Sequence, residues 1–241
     1  MTHLFITRIA VELGGSARIT KTQHREYSSP NDRIDNIIKY WLSHASKFYT
    51  RQTKDCPFRV YLIYSGKYKD VIMSHTFPEW VTLSTNRNLD RPTGKVYEKY
   101  LDQRISVSRI DADDWYSDDY FDYLSTDHKP TDLTNNTTTV LHQSIRFFCR
   151  YRQVVSKPVY FPSPPFGSII FNKYLDAPIL RFRLWPHGNI IKRPHLVPDK
   201  CHAMQSVGCN VVNKWRHSAH IETTLGDIDN FYIPTTEEGL L

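Results

Sequence analysis

Glycine and cysteine are scarce in this 241-residue chain, at nine and four residues. Cys56, Cys149, Cys201 and Cys209 stand far apart with no Cys-x-x-Cys pair, which argues against a zinc ribbon or a thioredoxin-type motif. Cys201 and Cys209 lie near His195 and His202 in sequence. The expectation is nevertheless buried thiols rather than a metal cluster. No Gly-x-Gly-x-x-Gly, Walker A, Gly-x-Ser-x-Gly or kinase set is present, which weakens dehydrogenase, NTPase and hydrolase readings. No apolar run approaches the roughly 18–20 residues of a membrane helix. Met1–Arg8 shows no basic segment leading into a long apolar one, so no export signal is expected. The expected setting is therefore cytoplasmic and reducing. There is no internal repeat and no low-complexity linker.

What is present describes an ordinary globular chain. Hydrophobic residues make up 40% and charged residues 23%, which excludes a wholly disordered chain, a collagen or a coiled coil. Lys and Arg number 31 against 25 Asp and Glu, a formal charge of +6. That excess permits a polyanionic partner without requiring one, and the basic residues are scattered rather than gathered in a tail. Fourteen prolines against nine glycines point to ordered, extended loops.

The first half alternates strand-like and helix-like segments. Leu4–Val11 is a β-branched apolar run suited to a buried strand, and the polar stretch Gly14–Asn31 follows as a loop. Asn31 or Asp32 is placed to cap a helix. Ile34, Ile37, Ile38, Trp41, Leu42, Ala45 and Phe48 then recur at helical spacing and share one face. Phe58–Tyr64 is the clearest strand. A short helix over Tyr68–His75, a strand at Trp80–Leu83, a helix over Gly94–Leu101, a strand at Ile105–Ile110 and a helix over Ser117–Leu124 capped by Ser117 complete the series. Such alternation predicts a mostly parallel sheet with helices on its faces, and ligands then bind at the carboxyl ends of the strands. The second half differs. Thr139–Arg152 reads as strand or helix, Pro158–Pro165 as extended, and Phe166–Phe171 and Ile179–Leu184 as strands. A stretch rich in His and Pro, His187–His202, comes next. Residues 126–241 are read as antiparallel additions and lids, joined with residues 1–125 in one domain.

The strongest chemical signal is Arg109-Ile110-Asp111-Ala112-Asp113-Asp114, directly after a strand. Three carboxylates in four residues repel one another, and a hard divalent cation would compensate. Mg2+ or Mn2+ takes such oxygen ligands, commonly one or two carboxylates plus the phosphates of a nucleotide. The alternative is a solvated helix start, in which Asp113, Asp114, Asp118 and Asp119 favour the positive end of the dipole. An EF-hand fits poorly, because Tyr116 and Asp122 stand where Gly and Glu are needed.

This segment resembles the DxD motif of glycosyltransferases of the GT-A fold and, more narrowly, the RLDxDD signature of the rhamnosyltransferase family. Arg8 at the end of the first strand, the helix over Arg33–Gln52 leading to Phe58–Tyr64, and Asn213-Lys214-Trp215-Arg216-His217 also fit that family. The likeness runs over residues 4–125 and more loosely over 160–220. It implies a GT-A-like α/β fold and transfer of a sugar, rhamnose among the candidates, from a nucleotide-sugar donor to a hydroxyl acceptor. It also implies a Mn2+ or Mg2+ cofactor. Asp113 would bind the metal, with Asp111 on the donor ribose or the metal's water, Asp114 supporting the turn and His217 completing the metal set. Arg109 would pair with Asp111 or with phosphate, and Arg8 would lie near the nucleotide. Tyr64-Ser65-Gly66 stands where many enzymes of this fold hold the base with an Asp.

A general base must take the acceptor's proton; Glu222 and Asp227 are the candidates, with Asp199 a third. His217 and His220 form an H-x-x-H pair without the glutamate of a zinc protease. Trp185, His187 and Trp215 are of the type that stacks on sugars, although buried core is the commoner role of a Trp. Lys192 and Arg193 can neutralise a diphosphate. A metal-dependent nuclease or phosphoryl transferase would use the same acids. A non-catalytic nucleic-acid or glycan-binding module would draw on the charge and the aromatic content. Three clustered acids repel phosphates unless a metal intervenes, so nucleic acid is the less expected partner.

Overall fold

In the computed structural model, residues 1–10, 29–85, 100, 103–134, 136–148, 153–159, 166–172, 194–207 and 230–232 are described. Their strands are β1 (Thr2–Ala10), β2 (Phe58–Tyr64), β3 (Val81–Ser84), β4 (Ile105–Asp111) and β5 (Trp115–Tyr116) in the first half. The second half adds β6 (Thr137–Leu141), β7 (Ser144–Phe148), β8 (Gln153–Val159), β9 (Gly167–Phe171) and β10 (Ala203–Val207). They build a six-stranded sheet in the order β3-β2-β1-β4-β9-β6 and a four-stranded sheet in the order β5-β10-β7-β8.

β1 lies inside the larger sheet, parallel to β2 on one side and to β4 on the other. β3 extends the β2 side in parallel. β9 pairs antiparallel with both β4 and β6. The fold is therefore mixed α/β, a mostly parallel sheet flanked by helices with an antiparallel addition from the C-terminal half, as the sequence predicts. Of Thr139–Arg152, ambiguous in sequence, residues 139–148 are described and are mostly strand: β6 leads to β7, which pairs with β8; residues 149–152 lie outside the described residues. The expected helix over Gly94–Leu101, apart from Tyr100, and the expected strand Ile179–Leu184 lie outside the described residues.

The parallel register puts Phe5, Val60 and Leu62 in a single core with the helices. α1 (Pro30–Tyr40) starts at Ser29, not at Asn31 or Asp32. The Ser29 hydroxyl accepts the Asp32 N–H at 3.1 Å and Pro30 takes the first turn, a position where proline's missing N–H costs nothing. α1 runs into a single π turn over Trp41–Ala45 and then α2 (Lys47–Thr50). Phe48 and Tyr49 of α2 are both buried. Tyr49 meets Phe5, Phe58 and Trp80 at ring distances of 5.0, 5.7 and 5.2 Å. After β2, a 3-10 turn over Gly66–Tyr68 leads into α3 (Lys69–Met73).

α4 (Tyr120–Ser125) begins later than expected, and Ser117 does not cap it. The Ser117 hydroxyl instead donates to Asp119 Oδ1 at 2.6 Å and lies 3.1 Å from His202 Nδ1. No described helix is long and apolar enough to cross a membrane.

Candidate functional site

β1 is the topological switch point of the larger sheet. The chain leaves it for β2 and β3 on one side and returns to β4 on the other. The carboxyl ends of β1 and β4 thus flank the crevice where ligands of such sheets bind. Arg8 and Asp111 face each other across that boundary as register partners. Because paired residues of a parallel ladder project to the same face, Arg8, Arg109 and Asp111 share one side.

The acid cluster forms the turn that leaves β4. The Asp114 N–H donates to the Asp111 carbonyl at 3.2 Å. The chain is a strand again at once, in β5, antiparallel to β10. This overturns the helix-start alternative for Asp113 and Asp114, which precede a strand. Asp118 and Asp119 do stand at a helix start, Asp119 at the N-cap of α4 without a side-chain cap bond, and both are held by cations. Arg51 grips Asp118 with Nε at 3.2 and 3.1 Å and Nη2 at 2.6 Å. Lys200 Nζ meets Asp119 Oδ2 at 2.5 Å.

Within the turn the carboxylates differ in environment. Asp113 and Asp114 are 5% and 3% exposed, whereas the Asp111 side chain is 38% exposed. Arg109 is buried and donates from Nη2 to Asp111 Oδ1 at 2.9 Å. Burial pushes the Arg109 guanidinium below its usual range, Asp111 pulls it back up, and nearby Arg8 lowers it again.

Behind the turn lies a buried polar and aromatic lattice. The Tyr116 hydroxyl donates to the Arg109 carbonyl at 2.7 Å, and its ring stacks on Tyr120 at 3.9 Å and 8°. The Tyr120 hydroxyl lies 3.0 Å from Ser108 Oγ, 2.5 Å from Ser168 Oγ and 3.3 Å from His142 Nε2. Burial raises both tyrosines well above the ordinary phenol range. It also holds His142 well below the usual imidazole range, helped by the neighbouring His202. No sequence pattern signals this lattice, because its members come from β4, β5, α4, β9 and the residue after β6.

Of the sequence-predicted site residues, Arg8, Arg109, Asp111, Asp113 and Asp114 are brought together. His217, His220, Trp215, Glu222 and Asp227 lie outside the described residues, as do Trp185, His187, Lys192 and Arg193. Asp199 is exposed and acts on Tyr123, whose hydroxyl burial and Asp199 push up to about 12. Cys201 is a buried free thiol that donates to the Gln143 carbonyl at 3.0 Å. His202 turns to Ser117 and Asp119. Among the described residues no three His, Cys, Asp or Glu groups converge as a metal cage. The donor chemistry of Asp111 and Asp113 nonetheless suits a hard cation whose other ligands are phosphate oxygens and water.

No protein-family model matches the chain, and no curated protein matches it. Among solved structures it is similar to residues 1–349 of S. aureus TarS in complex with UDP, at a TM-score of 0.43 and 13% identity, covering 86% of this chain and 61% of that one. Another structure of TarS 1–349 gives 0.42, 13%, 86% and 60%. A structure of S. aureus TarS gives 0.41, 12%, 88% and 38%. The chain thus spans about three fifths of the length of the first two.

Proposed function

We propose that this protein transfers a sugar, with rhamnose among the candidates, from a nucleotide-sugar donor to a hydroxyl acceptor. The observation that supports this reading best is the position of the turn Arg109–Asp114. It leaves the carboxyl end of β4 beside β1, where the strand order reverses and where α/β sheets bind nucleotides. The Arg-Ile-Asp-Ala-Asp-Asp sequence of that turn resembles the DxD signature of glycosyltransferases.

In this reading Asp113 and Asp111, with His217 from the C-terminal half, hold a Mn2+ or Mg2+ ion. When bound, such an ion would supply Lewis-acid stabilisation of the diphosphate's negative charge. Arg8 lies at the same strand ends and adds positive potential for the phosphates. Buried Asp113 and Asp114 keep the turn tight and its acids shielded from bulk water. Glu222 or Asp227 takes the acceptor's proton. The lattice of Tyr116, Tyr120 and His142 holds the turn from behind and takes no part in proton transfer.

A panel of UDP-, GDP- and dTDP-sugars incubated with the protein and Mn2+ tests this. Release of nucleoside diphosphate from one donor, abolished by a chelator, is the expected result. No release from any donor, with simple sugars and glycans offered as acceptors, would contradict it.

A further inference from the structure

Two hydrogen bonds to backbone carbonyls close the acid turn. The inner one runs from the Asp114 N–H to the Asp111 carbonyl at 3.2 Å. The outer one comes from a side chain: the Tyr116 hydroxyl reaches back seven positions and donates to the Arg109 carbonyl at 2.7 Å. A carbonyl only accepts, so the direction of this bond is fixed. The ring that carries the hydroxyl is fully buried and held on several sides. It stacks on Tyr120 at 3.9 Å and 8°. Phe166, Phe48 and His142 meet it edge-on at 5.7, 5.8 and 5.6 Å. Its backbone pairs with Ala203 of β10. Tyr116 thus stands where the turn, the larger sheet and the smaller sheet meet. Tyr120 is a matched control. It is equally buried and forms the other half of the stack, but its hydroxyl meets the side chains of Ser108, Ser168 and His142, all outside the turn.

We infer that Tyr116 is a positioning residue: its hydroxyl, through the Arg109 carbonyl, fixes the span of the chain from the end of β4 to β5 and with it the spacing of the acids in between. What that spacing serves rests on the nucleotide-sugar reading above; that Tyr116 sets it does not. Groups that bind a ligand work only when their supports hold them to within about 0.5 Å. A ring packed on its face and edges, with its one polar atom on the turn's own backbone, is such a support. Tyr120 packs the same core without holding the turn.

The test compares Tyr116→Phe with Tyr120→Phe. Amide hydrogen exchange at Asp114, followed by NMR in the metal-free protein, reads the turn directly, because local opening exposes the amides of the unit that opens. Tyr116→Phe is expected to speed exchange at Asp114 about tenfold, the scale of one lost hydrogen bond. Tyr120→Phe is expected to lower the unfolding temperature at least as far and to leave that exchange unchanged. The second readout is the Mn2+ concentration that half-saturates nucleotide binding, with whichever of UDP, GDP or dTDP binds the wild type. It is expected to rise about tenfold in Tyr116→Phe and to stay unchanged in Tyr120→Phe. If Tyr116→Phe does not fold, Phe166→Leu takes its place. That variant keeps the hydroxyl and loosens one edge of the ring, and a smaller acceleration at Asp114 is expected. Unchanged exchange at Asp114, or equal acceleration in both tyrosine variants, overturns the inference. Faster exchange with an unchanged Mn2+ requirement overturns the claim that the span sets the acids. A wild type that binds none of the three nucleotides overturns the nucleotide reading, while the exchange comparison still decides whether Tyr116 holds the turn.

Discussion

His3, at the amino end of β1, is fully buried, with Nδ1 2.7 Å from Ser106 Oγ and Nε2 3.4 Å from Ser125 Oγ. Burial, the N-terminal amine, Lys54 and Arg104 push its imidazole down to about 3. Burial also holds His142 below the usual value, and it lowers His202 although Asp119 pulls the other way. A histidine whose folded value lies below its unfolded one stabilises the protein above about pH 6.5, and that contribution is lost as pH falls. For each such histidine the loss approaches about 1.4 kcal/mol per pH unit. Stability is therefore expected to fall between about pH 6.5 and 5, before Asp35 and Asp119, both held below the usual carboxylate range, begin to protonate. Chemical denaturation across that interval measures it, and a flat profile would contradict the assignment. In the lattice behind the acid turn, Tyr120→Phe leaves Ser108, Ser168 and His142 short of a partner. It is expected to cost about 1–3 kcal/mol, the range for a buried polar group left unsatisfied, with the stacked ring unchanged. Denaturation of that variant beside the wild type reads the loss.

Among the elements, strands are more legible in the sequence than helix boundaries. Phe58–Tyr64 stands out by an apolar run interrupted by Arg59 alone, and β4 differs from expectation only by including Asp111. The start of α1 is ambiguous from sequence because Asn31 and Asp32 are both good caps. Ser29 takes the role because Pro30 behind it is preset for the first helical turn. Ser29→Ala is expected to destabilise by about 1 kcal/mol, whereas Asn31→Ala should have a much smaller effect; paired denaturation curves decide between them. The π turn is invisible in sequence: at about 100° per residue Tyr49 falls between Ile38 and Leu42 on the apolar face, so a strict 3.6 period already accounts for its burial. Phe48→Ala removes a fully buried ring 5.5 Å from Phe5 and is expected to cost about 3–5 kcal/mol, again read from denaturation. Ser117 has the sequence of a cap, but its partner His202 lies 85 positions away. Local pattern carries no information about such a contact.

For the whole molecule, alternation of strand and helix is enough to foresee a mostly parallel sheet, and Arg109–Asp114 is enough to foresee acids at a strand end. Sequence cannot show that β4 returns beside β1, placing Asp111 opposite Arg8. Nor can it show that β5 and β10 join Trp115 and Tyr116 to Met204 and Ala203. Those pairings are set by long-range packing. They turn a run of acids, which a helix start would explain equally well from local sequence, into a turn at the switch point of a sheet.

Whether this turn holds a nucleoside diphosphate through a divalent ion is settled most directly by calorimetric titration. UDP, GDP and dTDP are titrated into the wild type and into Asp113→Asn, with Mn2+ and with chelator. Circular dichroism first establishes that the variant is folded. Binding of one nucleotide that requires Mn2+ and weakens at least about tenfold in Asp113→Asn, as expected for a lost charged contact, is the predicted result. Binding that ignores both the metal and the substitution, or no binding at all, would contradict it.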